Sequence, residues 1–438
     1  MFRRALFLLV VFFAATAARA QEPPPSAADQ AAQVRALLDR IDRLEKRVAE
    51  LEAKEGVPIA AAAPAPAPAI SPVPTQPAPA AAAPAEPVQP QAAPHSHDMA
   101  PVQQEIAAQQ AELHYPNLQI RGFGDVNFAS TDQPNTNSGF SLGQFDLHLA
   151  SSLSRKVTYF GEITLTATPT NYNIELERSI IRYDYDDYFK MSFGRYHTPI
   201  GYWNTAFHHG AWLETTITRP ESVKIGGTFI PLHFVGLLAE GNIPSGGAGL
   251  GYSFGVGNGR GTTISRPGDA GDNNNNRAWV ANLYARPSGL YGLQMGFSLY
   301  RDKITLSNGL NYREWITSAY AVYTKETPEI LAEFYNVNHR QVDTDLSSNS
   351  QAFYVQVAYR LPWLERTLKP YYRFEYIHTP LSEQVFANMD LVESTLGLRY
   401  DITNYAAFKA EFRRADRQSP ISPVPVVNGL FLQTSFTF

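Results

Sequence analysis

The 438-residue chain has no cysteine. That absence excludes a disulfide framework, thiol catalysis, a Cys-based zinc site and a lipidated N-terminal cysteine. Long apolar runs are also missing. Beyond the first 20 residues no stretch approaches the roughly 18–20 apolar residues that a membrane-spanning helix needs. Nor is there an excess of positive charge: 36 Lys and Arg stand against 41 Asp and Glu, a net −5. The balance gives no basic patch to hold nucleic acid. Aromatic residues are plentiful instead, with 23 Tyr and 25 Phe, which suits broad β surfaces.

The first 20 residues read as a secretory signal peptide. Arg3 and Arg4 form a positive n-region, Leu6 to Ala18 an apolar h-region, and Ala18-Arg19-Ala20 a cleavage site. Without Arg3, Arg4 and Arg19 the remainder keeps 33 basic residues against 41 acidic, about −8. An exported chain without apolar helices can span a membrane only as a closed barrel.

Residues 21–56 contain a heptad. Val34, Ile41 and Val48 occupy a, and Leu37, Leu44 and Leu51 occupy d. Arg40 and Arg47 fall at g, with Glu45 and Glu52 five residues later at e, the interchain pairing of a parallel coiled coil. β-Branched a with Leu at d leans towards two strands. A single amphipathic helix lying on another domain is the alternative. From Val57 to Pro101 the chain is Ala/Pro-rich, with 13 prolines, and reads as an extended spacer. A short helix is expected from Val102 to Leu113, completing a linker region over 57–116. His95 and His97 lie in the spacer without further ligands beside them and read as polar linker rather than a metal site.

From Asn117 the pattern becomes alternation. Leu118, Ile120, Val126 and Phe128 fall on one face, with Gln119, Arg121, Asp125 and Asn127 on the other. Phe123 is an exception on the polar face. Near the end Ala406, Phe408, Ala410 and Phe412 alternate with Lys409, Glu411 and Arg413. Apolar towards lipid and polar towards an aqueous lumen is the dyad of a transmembrane barrel. Sixteen segments are predicted: 117–128, 139–152, 157–166, 172–183, 188–197, 231–241, 249–258, 277–286, 291–303, 311–324, 329–339, 351–360, 367–378, 391–400, 405–414 and 428–438. Connections after odd strands are mostly long and those after even strands mostly short turns, the asymmetry of an outer-membrane barrel. The fold class is therefore all-β: a 16-stranded antiparallel transmembrane β-barrel over 117–438, with both ends and the N-terminal segments on the periplasmic side.

The signal peptide, the sixteen segments and the final Leu432-Gln-Thr-Ser-Phe-Thr-Phe438 resemble a Gram-negative outer-membrane porin. With its coiled coil and spacer, the layout is similar to the phosphate-selective (O/P type) and dicarboxylate-type trimeric porins. The resemblance implies a homotrimer in the outer membrane, no cofactor, and a signal for barrel assembly at Phe438. It also implies that the loop after the fifth strand, Thr198 to Ile230, folds into the barrel and narrows it. Trp203, Phe207, Trp212, Leu213 and Ile217 could pack that loop on the wall. His208, His209, Glu214, Arg219, Glu221 and Lys224 would line the path; an external or trimer-contact loop is the alternative. Wall charges projected into the lumen are Arg121, Asp125, Asp146, Glu162, Arg373, Glu375, Lys409, Glu411 and Arg413. The loop 259–276, with Asp269, Asp272 and Asn273 to Asn276, lacks EF-hand spacing and reads as a solvated loop.

The leading function is a passive, possibly selective channel for small hydrophilic or charged solutes. The alternative is an envelope anchor whose coiled coil binds peptidoglycan or a periplasmic partner. A barrel enzyme is disfavoured because no G-x-S-x-G or comparable element occurs. A plugged iron-complex transporter fails because the low-complexity residues before the first strand cannot fold into a plug.

Overall fold

Alternation over 8 to 15 residues builds sixteen strands that close on themselves. The structure, a computed structural model, describes residues 115–207, 209–386, 390–418 and 424–438. The signal peptide, coiled coil, spacer, short helix, His95, His97 and His208 lie outside the described residues. The strands are β1 (Asn117–Thr131), β2 (Gly139–Ser152), β3 (Val157–Ala167), β4 (Tyr172–Asp184), β5 (Lys190–His197), β6 (His233–Ile243), β7 (Leu250–Asn258) and β8 (Ala278–Ala285). They continue with β9 (Leu293–Thr305), β10 (Asn311–Thr324), β11 (Glu329–Gln341), β12 (Ser347–Ala358), β13 (Leu368–His378), β14 (Asp390–Thr403), β15 (Ala406–Gln418) and β16 (Val427–Thr437). All sixteen predicted segments are present. β1, β11, β12, β14 and β15 reach further than their pattern suggested, so several loops after odd strands are shorter than expected.

Each strand pairs antiparallel with its sequence neighbours, and β1 pairs with β16 to close the barrel, from Phe123↔Thr437 to Thr131↔Gly429. Beyond the ladder, Gly122 and Phe438 exchange backbone hydrogen bonds of 2.8 and 3.0 Å. A Cβ at Gly122 would overlap the Phe438 ring, so glycine there lets the terminal aromatic lie across the seam. Phe438 is 62% exposed on the outward face and lies 5.7 Å from Phe145.

On β15, Lys409 and Glu411 are buried inward while Phe408 and Phe412 face out, as the dyad requires. The inner wall of β8 to β14 departs from that rule. Ile316, Tyr320, Val322, Leu331, Tyr335, Val337 and Tyr354 also point inward, and they form one core with Ile200, Trp203, Val223, Phe229 and Ile230. Those last five belong to the segment between β5 and β6, which enters the barrel and covers the apolar part of its wall. Burying each such side chain contributes roughly 1.5–3 kcal/mol. Five of them exceed thermal energy many times over, so the segment is a fixed part of the fold.

Candidate functional site

The inserted segment begins where β5 and β6 part. His197 pairs with His233, and Thr198 N–H donates to the Leu232 carbonyl at 2.9 Å. Asn204 Nδ2 bridges the Thr198 and Leu232 carbonyls at 2.9 and 3.0 Å, tying the neck shut. Between these ends lie one short helix, α1 (Trp203–Ala206), and two single-turn 3-10 segments at 211–213 and 221–223.

Four helix residues cannot satisfy their own first N–H groups; the wall supplies the acceptor. Glu333, on β11, accepts the Tyr202 N–H at 2.6 Å and the Trp203 N–H at 2.9 Å. Its carboxylate also accepts the hydroxyls of Tyr335 and Tyr354. Trp203 is 1% exposed, and its ring stands edge-on to Tyr354 at 5.9 Å. Further along, Gly210 takes a positive φ of 87° that favours glycine, and its N–H donates to Asp146 Oδ2 at 3.1 Å. There the segment covers Phe123, whose inward position had broken the alternation of β1.

Basic residues of β13, β14 and β15 hold the return path. Lys409 donates to the carbonyls of Ala211 and Thr216 at 2.5 and 2.9 Å. Arg399 donates to the carbonyls of Trp212 and Glu214, both at 2.8 Å. Arg373 reaches the Thr218 carbonyl at 2.6 Å, and Lys369 the Thr215 hydroxyl at 3.0 Å. Glu411 and Glu375 accept the N–H groups of Ile217 and Glu221, each at 2.6 Å.

These contacts change the roles assigned from sequence. Arg373, Lys409, Asp146 and Glu162 do point inward, but they are buried beneath the segment instead of lining open space, and Glu375 is buried too, with only an edge on the cavity described below. The cause is chemical: a loop with unpaired backbone groups draws charged side chains into hydrogen bonds with it. Arg121 lies exposed near the start of β1, away from the segment. His209 is likewise buried, its Nδ1 3.1 Å from Gln144 Oε1 and its Nε2 3.5 Å from Glu177 Oε1. Glu177 also holds His233 at 2.7 Å, while Glu162 holds His148 at 2.8 Å and Arg178 at 2.5 Å.

Sequence reasoning missed Glu177, Glu333, Lys369, Arg399, His197 and His233. Glu177 sits at a bulge between β3 and β4, where the register shifts and alternation fails. His197 and His233 mark the two ends of the segment, a symmetry visible only once β5 and β6 are paired. In the 259–276 loop, Asp269 binds Arg195 and Asp272 binds Arg277. Both carboxylates therefore serve ion pairs.

A cavity of about 500 Å³ remains between the inserted segment and the wall from β13 through β16 to β3. The segment lines it with Glu214, Arg219, Glu221 and Lys224, and the wall with Asp125, Gln144, Glu393, Arg413, Arg417 and Gln433. Charges of both signs are paired across it: Arg417 meets Glu221 at 3.1 Å and Arg413 meets Glu411 at 2.8 Å. A second cavity, about 740 Å³, opens at the short-turn end and is lined by Trp212, Glu326, Arg360, Arg399 and Asp401. Trp212 and Glu214 thus face different cavities. The strip of chain between them, braced by Arg399, is the partition.

The segment's two carboxyl groups are shifted in opposite directions. Burial pushes the Glu214 carboxyl up to about 7, with Arg219 counteracting. Glu221 is held below the usual carboxylate range because its bonds and charge pairing with Arg417 and Lys224 outweigh its burial.

No protein-family model matches the sequence, and no curated protein does. Solved structures do share the fold. The anion-selective porin from Comamonas acidovorans matches at 11% identity and a TM-score of 0.54, over 74% of this chain and 99% of its own. OmpF of Salmonella typhi, solved in complex with daunomycin, matches at 11% identity and 0.53, over 74% and 98%. The outer-membrane channel DcaP of Acinetobacter baumannii matches at 12% identity and 0.50, over 74% and 97%. Closed sixteen-stranded topology, an inserted segment after the fifth strand and these likenesses lead to one assignment: the chain has the fold of the outer-membrane porins.

Proposed function

We propose that the protein is a passive outer-membrane channel for small hydrophilic or charged solutes, with residues 198–230 as its constriction. The partition at Trp212–Glu214 carries this reading. It separates a cavity edged by charged side chains on the loop side of the barrel from another on the turn side, and it is held by wall side chains rather than left to swing. Selectivity in such a passage comes from charged groups crowding a narrow section. Glu214, Arg219, Glu221 and Lys224 on one side, with Asp125, Arg413 and Arg417 on the other, would set it here.

Reconstitution into planar lipid bilayers tests the proposal. Discrete conductance steps, reduced when sugars of increasing size enter the bath, are expected. A folded barrel without conductance would instead favour the envelope-anchor reading. The assembly we propose is a homotrimer, on the likeness of layout to trimeric porins. Deleting residues 21–100 should leave trimers on native gels, whereas monomers would show that the heptad segment sets the assembly.

A further inference from the structure

The cavity at the short-turn end has a chemistry of its own. Six charged side chains line it and their signs balance: Arg360, Arg366 and Arg399 stand against Glu326, Glu365 and Asp401. Four of them are tied into one network. Asp401 gives one oxygen to Arg360 at 2.5 Å and the other to Arg399 at 2.7 Å. Glu326 pairs with Arg360 as well, and with Lys369 at 3.3 Å. The Arg399 side chain is 9% exposed and that of Arg360 12%, so the network is fixed in place. Arg399 also braces Trp212, donating to its carbonyl at 2.8 Å with the guanidinium 5.9 Å from the indole ring. A flat aromatic ring therefore shares the cavity with neutralised pairs of planar donors and acceptors.

The other two charges belong to a strained turn. Among the described residues, six other than glycine have φ in the left-handed range, and three of these, Glu326, Glu365 and Arg366, line this one cavity. Leu364, Glu365 and Arg366 take that range in succession, at 49°, 55° and 62°. L-residues avoid such runs because Cβ crowds the following carbonyl oxygen, and the runs persist only where their surroundings hold them. Here Arg360 donates to the Arg366 carbonyl at 3.0 Å, and the Thr367 hydroxyl donates to the Leu364 carbonyl at 2.7 Å. The turn leaves Glu365 and Arg366 exposed at the edge of the cavity. Among the described residues neither has an ion-pair partner, so both keep their hydrogen-bonding groups for a ligand.

An ion gains little from this lining. Each guanidinium comes with a carboxylate, and the ion's own desolvation goes uncompensated. A neutral polyhydroxylated ring gains from all of it. Its C–H face covers an indole, while its hydroxyls donate to carboxylate oxygens and accept from guanidinium N–H groups. A cavity of about 740 Å³ is in the range that encloses a small organic ligand. We propose that it is a saccharide subsite, with Trp212 as the platform, Arg360, Arg399 and Asp401 as fixed hydrogen-bonding groups, and Glu365 and Arg366 as the rim. This rests on the channel reading for the route by which the solute arrives, but not for its binding.

Isothermal titration calorimetry of the full-length protein in a polyoxyethylene detergent tests it, with maltose, glycerol, sodium phosphate and lysine as probes. Maltose alone should bind. Trp212→Ala should weaken that binding by about tenfold, the loss of one stacked ring, and Trp212→Phe should restore most of it. Both variants should keep the heat-modifiable mobility of a folded barrel. If Trp212→Ala does not fold, the double variant E365Q/R366Q, confined to the exposed turn, should weaken binding by about fivefold. No maltose binding, equal binding of phosphate or lysine, or unchanged binding by a folded Trp212→Ala would overturn the proposal. Maltose should also reduce single-channel current when added to either side of a planar bilayer. Binding without conductance would overturn the channel reading and leave the subsite standing; conductance without binding would do the reverse. Co-sedimentation with purified peptidoglycan that Trp212→Ala abolishes would overturn the assignment to a solute in favour of a cell-wall glycan.

Discussion

The carboxylate of Glu333 accepts the backbone N–H of Trp203, 130 residues earlier, at 2.9 Å. This one wall residue serves two backbone donors and two tyrosine hydroxyls. Glu333→Ala leaves all four without their acceptor, at roughly 1–3 kcal/mol for each donor that stays buried and unpaired. Limited proteolysis of the folded barrel should then cut within residues 198–230 of the variant and spare the native protein.

Lys409→Met removes the donor to the Ala211 and Thr216 carbonyls while keeping the apolar stem. The partition should loosen without loss of the barrel. Expected is a larger and noisier single-channel conductance, at a stability cost of about 1–3 kcal/mol read from urea unfolding in lipid.

Glu214 should make the proposed passage sensitive to pH. Its carboxyl is raised from 4.5 to about 7 in the fold. Between those values the folded chain holds a proton that the unfolded chain has released, so stability falls as pH rises across that window. Above pH 7 the cavity gains a negative charge, and the reversal potential under a salt gradient should move towards cations. Glu214→Gln should abolish the shift. Persistence of the shift in the glutamine variant would reassign it to another titrating group.

Lys224, 57% exposed at its side chain, and Arg417 both face the cavity and share Glu221. Replacing both with glutamine should shift ion preference towards cations. Bilayer recordings in a tenfold salt gradient would show it; an unchanged reversal potential would place the selective groups elsewhere.

Deleting Phe438 removes the ring that lies over Gly122 at the β1–β16 seam. The amount of heat-modifiable protein in the outer membrane should fall, as immunoblots of unheated samples would show.

The strands were legible because an apolar residue at every second position marks a lipid-facing wall. β2 and β10 match their predicted ranges residue for residue. β12 begins at Ser347, four residues early, because Ser347 to Ser350 are polar on both faces and carry no alternation. The Arg413–Gln418 end of β15 is extended for the same reason. Above the apolar band a strand has no lipid to face, and its pattern fades. Arg373 and Lys409 were legible as inward charges, but their partners were not. A backbone carbonyl such as that of Ala211 or Thr218 leaves no mark in a sequence.

The wall grips the inserted segment mainly through main-chain groups, and this makes the constriction a poor candidate for transplantation. Residues 198–230 grafted into another sixteen-stranded barrel would bring Trp203 and Trp212. They would leave behind Glu333, Arg373, Arg399 and Lys409, which come from four strands of the C-terminal half. Conversely, the segment's own side chains can be exchanged widely while the carbonyls that anchor it stay in place. Variation in what passes is thus cheap within the loop, and variation in where the loop sits requires coordinated change in β11, β13, β14 and β15.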